Sequence, residues 1–134
     1  MTATVQYESN LRTTCVHLQS GSAIETDAPT DNKGKGERFS PTDLIATGLG
    51  ACMITTMGIK AQTMDIVLDG AKVEVTKVME SEPRRIGKII AHVTMPALGL
   101  DDKTKTILER VGDACPVVKS LHPDLKLDIS YTWL

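Results

Sequence analysis

Two of the three cysteines stand where a thiol could take part in chemistry. Cys115 directly precedes Pro116, so it has the position of an N-cap or last loop residue before a short helix. Unpaired backbone N–H groups and the positive end of the helix dipole would then lower the pKa of its thiol. Alternatively, Cys115 is a small apolar residue that closes the start of a helix, and the local sequence favours this second interpretation.

Cys52 lies within residues 44–59, a run that contains no charged residue. Gly48 lies one turn before it, and Thr55 and Thr56 lie one turn after it, which leaves room for a ligand or second chain and supplies two hydroxyls. Burial alone would raise the pKa of this thiol and leave it unreactive. A reactive Cys52 therefore needs a cation from elsewhere in the fold, and without one it is a packed core cysteine.

Arg12 is the first candidate for that cation. In the segment LRTTCVHL it shares a strand face with Val16 and Leu18, so its guanidinium points inward if that face is in the core. A buried arginine needs an anion, and a thiolate would serve. The alternative, a strand-end arginine that turns back to solvent, is equally compatible with the sequence, and Arg38 is the second candidate cation.

Other chemical motifs are sparse. Cys15 and His17 are two residues apart on the opposite strand face and could supply half of a zinc site, but no second matching pair occurs. The sequence has no P-loop, serine elbow or paired-carboxylate pattern. We therefore expect neither a metal nor a cofactor.

The composition indicates a single domain over residues 1–134. A formal net charge of -2 with scattered Lys and Arg leaves no electrostatic case for a nucleic-acid partner. The N-terminus shows no secretory or transit peptide, so we expect a cytoplasmic protein whose thiols stay reduced.

The order of elements predicts an α+β fold. Alternating segments predict an N-terminal hairpin and a third strand, followed by a long loop over residues 27–40. Ser40, Pro41 and Asp43 then predict the start of a long helix with a variant of the capping box. Its uncharged run is too short and too mixed for a membrane span, so we expect a central helix wrapped by sheet or by a second subunit.

The remaining elements alternate between strand and helix. Two strands joined at the segment SEPRR are predicted first, then an amphipathic helix over residues 100–111. A short helix begins after Cys115, and residues 125–133 alternate as a final strand with one face in the core.

The segments SPTDLIATGLGACMITTM and DACPVVKSL resemble the OsmC/Ohr family, the osmotically inducible and organic hydroperoxide resistance proteins. The resemblance implies antiparallel sheets wrapped around a long central helix in an intertwined homodimer. It also implies a peroxidatic Cys52, a resolving Cys115 and Arg12 as the closest match to the activating arginine. Many members hold that arginine with a glutamate, where this chain has Thr42 beside Asp43, so its arginine is held differently or activates less strongly.

The reaction that the resemblance implies is the reduction of alkyl or lipid hydroperoxides. Cys52 would become a sulfenic acid, Cys115 would condense with it to a disulfide, and an external dithiol would reduce the disulfide. For some members that reductant is a dihydrolipoyl group. The Thr42 difference keeps an alternative open, a non-catalytic protein that holds a small apolar ligand at the dimer interface.

Overall fold

The structure is a computed structural model that describes residues 1–134. Its helices and strands follow the order β1 (Ala3–Ser9), β2 (Arg12–His17), β3 (Ala23–Asp27), α1 (Pro41–Gln62), β4 (Lys72–Glu80), β5 (Arg85–Met95), α2 (Asp102–Asp113), α3 (Pro116–Ser120) and β6 (Lys126–Trp133). The predicted α+β class and order of elements are confirmed. The chain divides into two compact units, Met1–Ile45 and Ala46–Leu134, which are described in turn.

The N-terminal unit is built on an antiparallel sheet in the order β1-β2-β3. Its register places Val5, Cys15 and Ile24 side by side on three neighbouring strands. Val5 and Ile24 nevertheless remain 67% and 48% exposed, and no hydrophobic residue of this unit is buried. Hydrogen bonds and ion pairs therefore hold the unit together rather than an apolar core of its own.

The buried residues of this unit are polar and lie at the end of β3 and just before α1: Thr26, Asp27 and Ser40. The start of α1 has the predicted reciprocal capping. The Asp43 N–H donates to Ser40 Oγ at 3.0 Å, and the Ser40 N–H donates to Asp43 Oδ2 at 2.9 Å. Two backbone donors at the first turn are thus satisfied by side chains, which fixes where the helix begins.

The C-terminal unit contains a second sheet in the order β4-β5-β6. Strands β4 and β5 form the predicted hairpin, but β6 pairs parallel to β5, so the sheet is mixed. The expectation of antiparallel sheets is therefore wrong for this strand. The reason is the connection, because α2 and α3 lie between β5 and β6 and allow the chain to return in the same direction.

One face of α1 forms the core of this unit. Leu49, Met53 and Met57 repeat every four residues and are fully buried. They belong to the same hydrophobic cluster as Ile89 of β5 and Leu108 of α2. The helix is therefore amphipathic in its packing although its sequence is apolar all round.

The other face of α1 is open within this chain. Ala51, Thr55 and Ile59 are exposed, Ile59 by 62%. The helix has 22 residues and is longer than the uncharged run alone. It is long and apolar enough to cross a membrane by length and composition only, a test that the core helix of a water-soluble protein also passes.

Gly50 gives a test of the packing between α1 and β4. A Cβ at this buried position would lie 3.0 Å from Val75 Cγ1 and 3.3 Å from Val73 Cγ1. We expect Gly50→Ala to lower the free energy of unfolding by about 1–2 kcal/mol, since overpacking outweighs the better helix propensity of alanine. Gly58→Ala, on the same helix with nothing within 4 Å, is the control and should be neutral or stabilising. Urea unfolding measures both, and equal effects would contradict the close packing at Gly50.

Candidate active site

The structure brings Cys52 and Cys115 close enough for each thiol to affect the ionisation of the other. Cys52 lies in the middle of α1, at the margin of its buried face, and is partly exposed. Cys115 is the N-cap of α3, followed by Pro116 at the first helical position, and it is fully buried. Both are free thiols in the C-terminal unit. Two cysteines that are 63 positions apart in the sequence thus form one site.

Cys52 has a pKa below its ordinary value. Burial acts to raise the pKa, but interactions with the backbone N–H of Val117, the thiol of Cys115 and the hydroxyl of Thr56 outweigh it. Each of these groups can donate a hydrogen bond to a thiolate and so favours the charged form. The sequence predicts that a cation is required to lower this pKa, whereas in the structure neutral donors lower it.

Cys115 has a pKa above its ordinary value. Burial is the main cause, and it outweighs the backbone N–H of Val118, which acts to lower the pKa. The neighbouring sulfur of Cys52 raises the pKa further, and the backbone N–H of Val117 opposes it weakly. The expectation that its position before a helix would lower the pKa of Cys115 is therefore wrong. The reason is burial of its sulfur, together with the second thiol beside it.

Thr56 contributes to the site from the same helix as Cys52. Its Oγ1 donates to the backbone carbonyl oxygen of Cys52 at 2.7 Å and lies 3.9 Å from Cys52 Sγ. The two residues are four positions apart, so their side chains stack on successive turns. The sequence predicts a threonine hydroxyl near this sulfur, and the structure places that of Thr56 there.

Arg12 lies in the N-terminal unit, where carboxylates surround its guanidinium. Nε and Nη2 donate to Asp27 Oδ1 at 2.7 Å and to Oδ2 at 2.9 Å, a bidentate pair. Nη2 also lies 3.4 Å from Glu37 Oε2, and Nη1 lies 3.7 Å from Glu25 Oε2. Arg38 also lies beside a carboxylate, since its Nε is 3.6 Å from Glu25 Oε1. Both candidate cations are thus engaged by carboxylates of their own unit.

Asp27 is the partner of Arg12 that sequence reasoning missed. It is 3% exposed, lies opposite Arg12 in the β2–β3 register and also accepts from the Glu37 N–H at 3.2 Å. The Arg12 guanidinium holds the pKa of this carboxyl below its usual range and is itself raised in pKa by the pair. The hairpin register is the signal that could have found it, because cross-strand partners of opposite charge pair readily.

The remaining sequence candidates, Cys15 and His17, lie in the N-terminal unit. Cys15 lies 3.8 Å from Thr13 Oγ1, and His17 Nδ1 lies 2.7 Å from Ser20 Oγ. No group of three or more His, Cys, Asp and Glu side chains is placed to hold a metal ion in residues 1–134.

A cavity of about 450 Å³ opens on the other edge of α1, lined by Ile54, Thr55 and Gly58 and by the segment from Ile66 to Ala71. Neither Cys52 nor Cys115 lines it. This cavity is therefore separate from the site of the two thiols.

The C-terminal unit is an α+β unit with a mixed sheet. One of its thiols lies on the long helix α1, and the other lies at the start of the short helix α3. The sequence profile of the OsmC-like protein family matches residues 34–130. The chain belongs to the OsmC-like protein family.

Solved structures are similar over nearly the whole chain. A Psychrobacter arcticus protein assigned provisionally to the osmotic stress and detoxification response is 48% identical, with a TM-score of 0.94 over 98% of this chain and 96% of that one. An organic hydroperoxide resistance protein of Legionella pneumophila is 16% identical, with a TM-score of 0.73 over 98% of this chain and 97% of that one. One of Bacillus subtilis is 17% identical, with a TM-score of 0.71 over 98% of each. None of the curated protein sequences shows significant similarity to this chain.

The Asp27 carboxylate makes acid stability a test of its pairing with Arg12. Because the folded pKa of Asp27 lies below the unfolded value of about 3.9, its contribution is complete above that value and is lost as pH falls through the folded pKa. We expect Asp27→Asn to be less stable than the native protein at pH 7, with a difference that shrinks toward pH 2. Denaturant unfolding at a series of pH values measures this difference, and a constant value would contradict the paired carboxylate.

The unlike pKa values of the two site thiols predict unequal alkylation rates. At pH 7 a larger fraction of Cys52 is thiolate, so iodoacetamide should label Cys52 well before the buried Cys115. Peptide mass mapping of quenched samples measures both rates in the same protein. Slow and equal labelling of the two thiols would contradict the assignment.

Proposed function

We propose that this protein is a cysteine-based thiol peroxidase that reduces organic hydroperoxides. The observation that carries the proposal is the contrast between a partly exposed Cys52 with a lowered pKa and an adjacent, buried Cys115 with a raised one. A peroxidatic thiol must be ionised and reachable by substrate, whereas a resolving thiol must only be near. Membership of the OsmC-like family supports the same activity.

The proposed reaction begins with attack of the Cys52 thiolate on the peroxide O–O bond. One oxygen is transferred to sulfur to give a sulfenic acid, and the other leaves with the organic group and takes a proton to become an alcohol. Cys115 then attacks the sulfenic sulfur, a Cys52–Cys115 disulfide forms and water is released. An external dithiol, of the dihydrolipoyl type in the family resemblance, would restore both thiols and become a disulfide itself.

Arg12 is proposed as the activating cation on the basis of the resemblance. Its guanidinium shares its charge with Asp27, Glu37 and Glu25, which weakens its pull on any further anion. We therefore expect Arg12→Lys to slow peroxide reduction without abolishing it.

The three carboxylates around Arg12 also favour the second candidate function, a protein that keeps the fold to bind a small apolar ligand.

An organic substrate is proposed because Cys52 packs against the hydrophobic cluster of the C-terminal unit. Apolar surroundings stabilise an alkyl tail and give hydrogen peroxide no comparable contact. A homodimer, intertwined as the resemblance implies, is proposed to cover the exposed face of α1 at Ala51, Thr55 and Ile59. The cytoplasm, which is reducing, is the proposed location.

One equivalent of cumene hydroperoxide added to the reduced protein tests the reaction directly. We expect a Cys52–Cys115 disulfide within seconds by intact mass and peptide mapping, and slower oxidation by hydrogen peroxide. Cys52→Ser should form no disulfide, and Cys115→Ser should stop at a sulfenic acid that dimedone traps. Cys15→Ser is the matched control and should behave as the native protein.

Two outcomes would contradict parts of this proposal. Thiols that stay reduced for minutes would remove the peroxidase assignment and favour the ligand-binding function. Faster oxidation by hydrogen peroxide than by the organic peroxide would remove the substrate class while leaving the two cysteine roles in place.

A further inference from the structure

We infer that the hydroxyl of Thr56 changes its hydrogen-bond partner when Cys52 ionises, donating to the backbone in the thiol state and to sulfur in the thiolate state. The consequence for catalysis rests on the proposed function. The contact and its effect on ionisation do not, and they can be measured without a peroxide.

The starting geometry is defined by two distances. Thr56 Oγ1 lies 2.7 Å from the carbonyl oxygen of Cys52, a good hydrogen bond, and 3.9 Å from Cys52 Sγ, a long one. A hydroxyl has one proton and two lone pairs. In the thiol state the hydroxyl proton of Thr56 therefore points to the carbonyl oxygen of Cys52. The S–H of Cys52 can then donate to a lone pair of Thr56 Oγ1.

Ionisation of Cys52 reverses the direction of the hydrogen bond between Cys52 Sγ and Thr56 Oγ1. A thiolate has no proton to donate, so the lone pairs of Thr56 Oγ1 and the negative sulfur would repel each other at this distance. Rotation about the Cβ–Oγ1 bond turns the hydroxyl proton toward the sulfur and replaces that repulsion with a charge-assisted hydrogen bond. The proton turns, and a small change in a side-chain torsion must also bring the oxygen and the sulfur closer than 3.9 Å, because a charge-assisted hydrogen bond is shorter than this contact.

The carbonyl oxygen of Cys52 is not left unsatisfied by this rotation. Within an α-helix it also accepts from the backbone N–H four residues later, which is the N–H of Thr56 itself. The rotation therefore removes one of two hydrogen bonds at the carbonyl oxygen. The remaining bond avoids the larger free-energy cost of a buried acceptor that has no hydrogen bond.

Thr56 differs from the other donors near Cys52 in where it is attached. The thiol of Cys115 and the N–H of Val117 belong to the start of α3, whereas Thr56 is on the helix that carries Cys52. The distance between Thr56 and Cys52 is fixed by one helical turn. This donor therefore does not depend on the position of α3.

The experiment compares four variants of the full chain by the pH dependence of Cys52 alkylation, read by peptide mass mapping. Thr56→Val and Thr56→Ala remove the hydroxyl, and Thr56→Ser keeps it. We expect the first two to shift the midpoint about one pH unit upward and to slow labelling at pH 7 about tenfold. Thr56→Ser should stay within about twofold of the native protein, since the donor remains.

Thr106→Val is the matched control. Thr106 Oγ1 donates to the carbonyl of Asp102 at 2.8 Å, the same bond four residues back in a helix, at an exposed site. It should leave Cys52 labelling unchanged. Circular dichroism and thermal unfolding establish that each variant is folded, and Thr56→Ala serves if valine does not fit.

A native midpoint in the folded Thr56→Val or Thr56→Ala variant would overturn the inference. A Thr56→Ser variant as slow as Thr56→Val would also overturn it, because the effect would then come from packing of the methyl group. Labelling requires no hydroperoxide turnover, so failure of the peroxidase proposal and failure of this inference give different results.

Discussion

The C-terminal unit depends on the burial of one face of α1. Leu49, Met53 and Met57 place a side chain in the core on every turn, and this spacing sets the rotation of the helix about its axis. Cys52 then falls at the edge of the buried face, with its sulfur partly exposed. A rotation by one residue position would either bury this thiol fully or expose it to solvent, and its interactions with the start of α3 would be lost.

The second constraint is the position of α3 beside that edge. Cys115 and Val117 both lie at the start of α3, and both lower the pKa of Cys52. The backbone donors at the beginning of a helix are thus used by a sulfur of another element. Burial meanwhile keeps the proton on Cys115, so two identical side chains acquire unlike ionisation from their surroundings.

The N-terminal unit has a different physical basis. It buries no hydrophobic residue, and its most closely bonded charges are Arg12 and the nearly inaccessible Asp27. Removing Arg12 would take the bidentate partner from a nearly inaccessible carboxylate, so the pair is held together by the cost of separating it. In this chain Asp27 supplies the carboxylate that orients the arginine.

Local patterns in the sequence determined the elements themselves, because hairpin alternation, the Ser40–Asp43 capping and the proline after Cys115 act between near neighbours. They also indicated which two cysteines belong together, through the family resemblance. Tertiary structure alone decided the parallel pairing of β6, the partner of Arg12 and the order of the two thiol pKa values. Each of these depends on groups far apart in the chain, and desolvation and hydrogen bonding at a sulfur exist only after those groups have packed together.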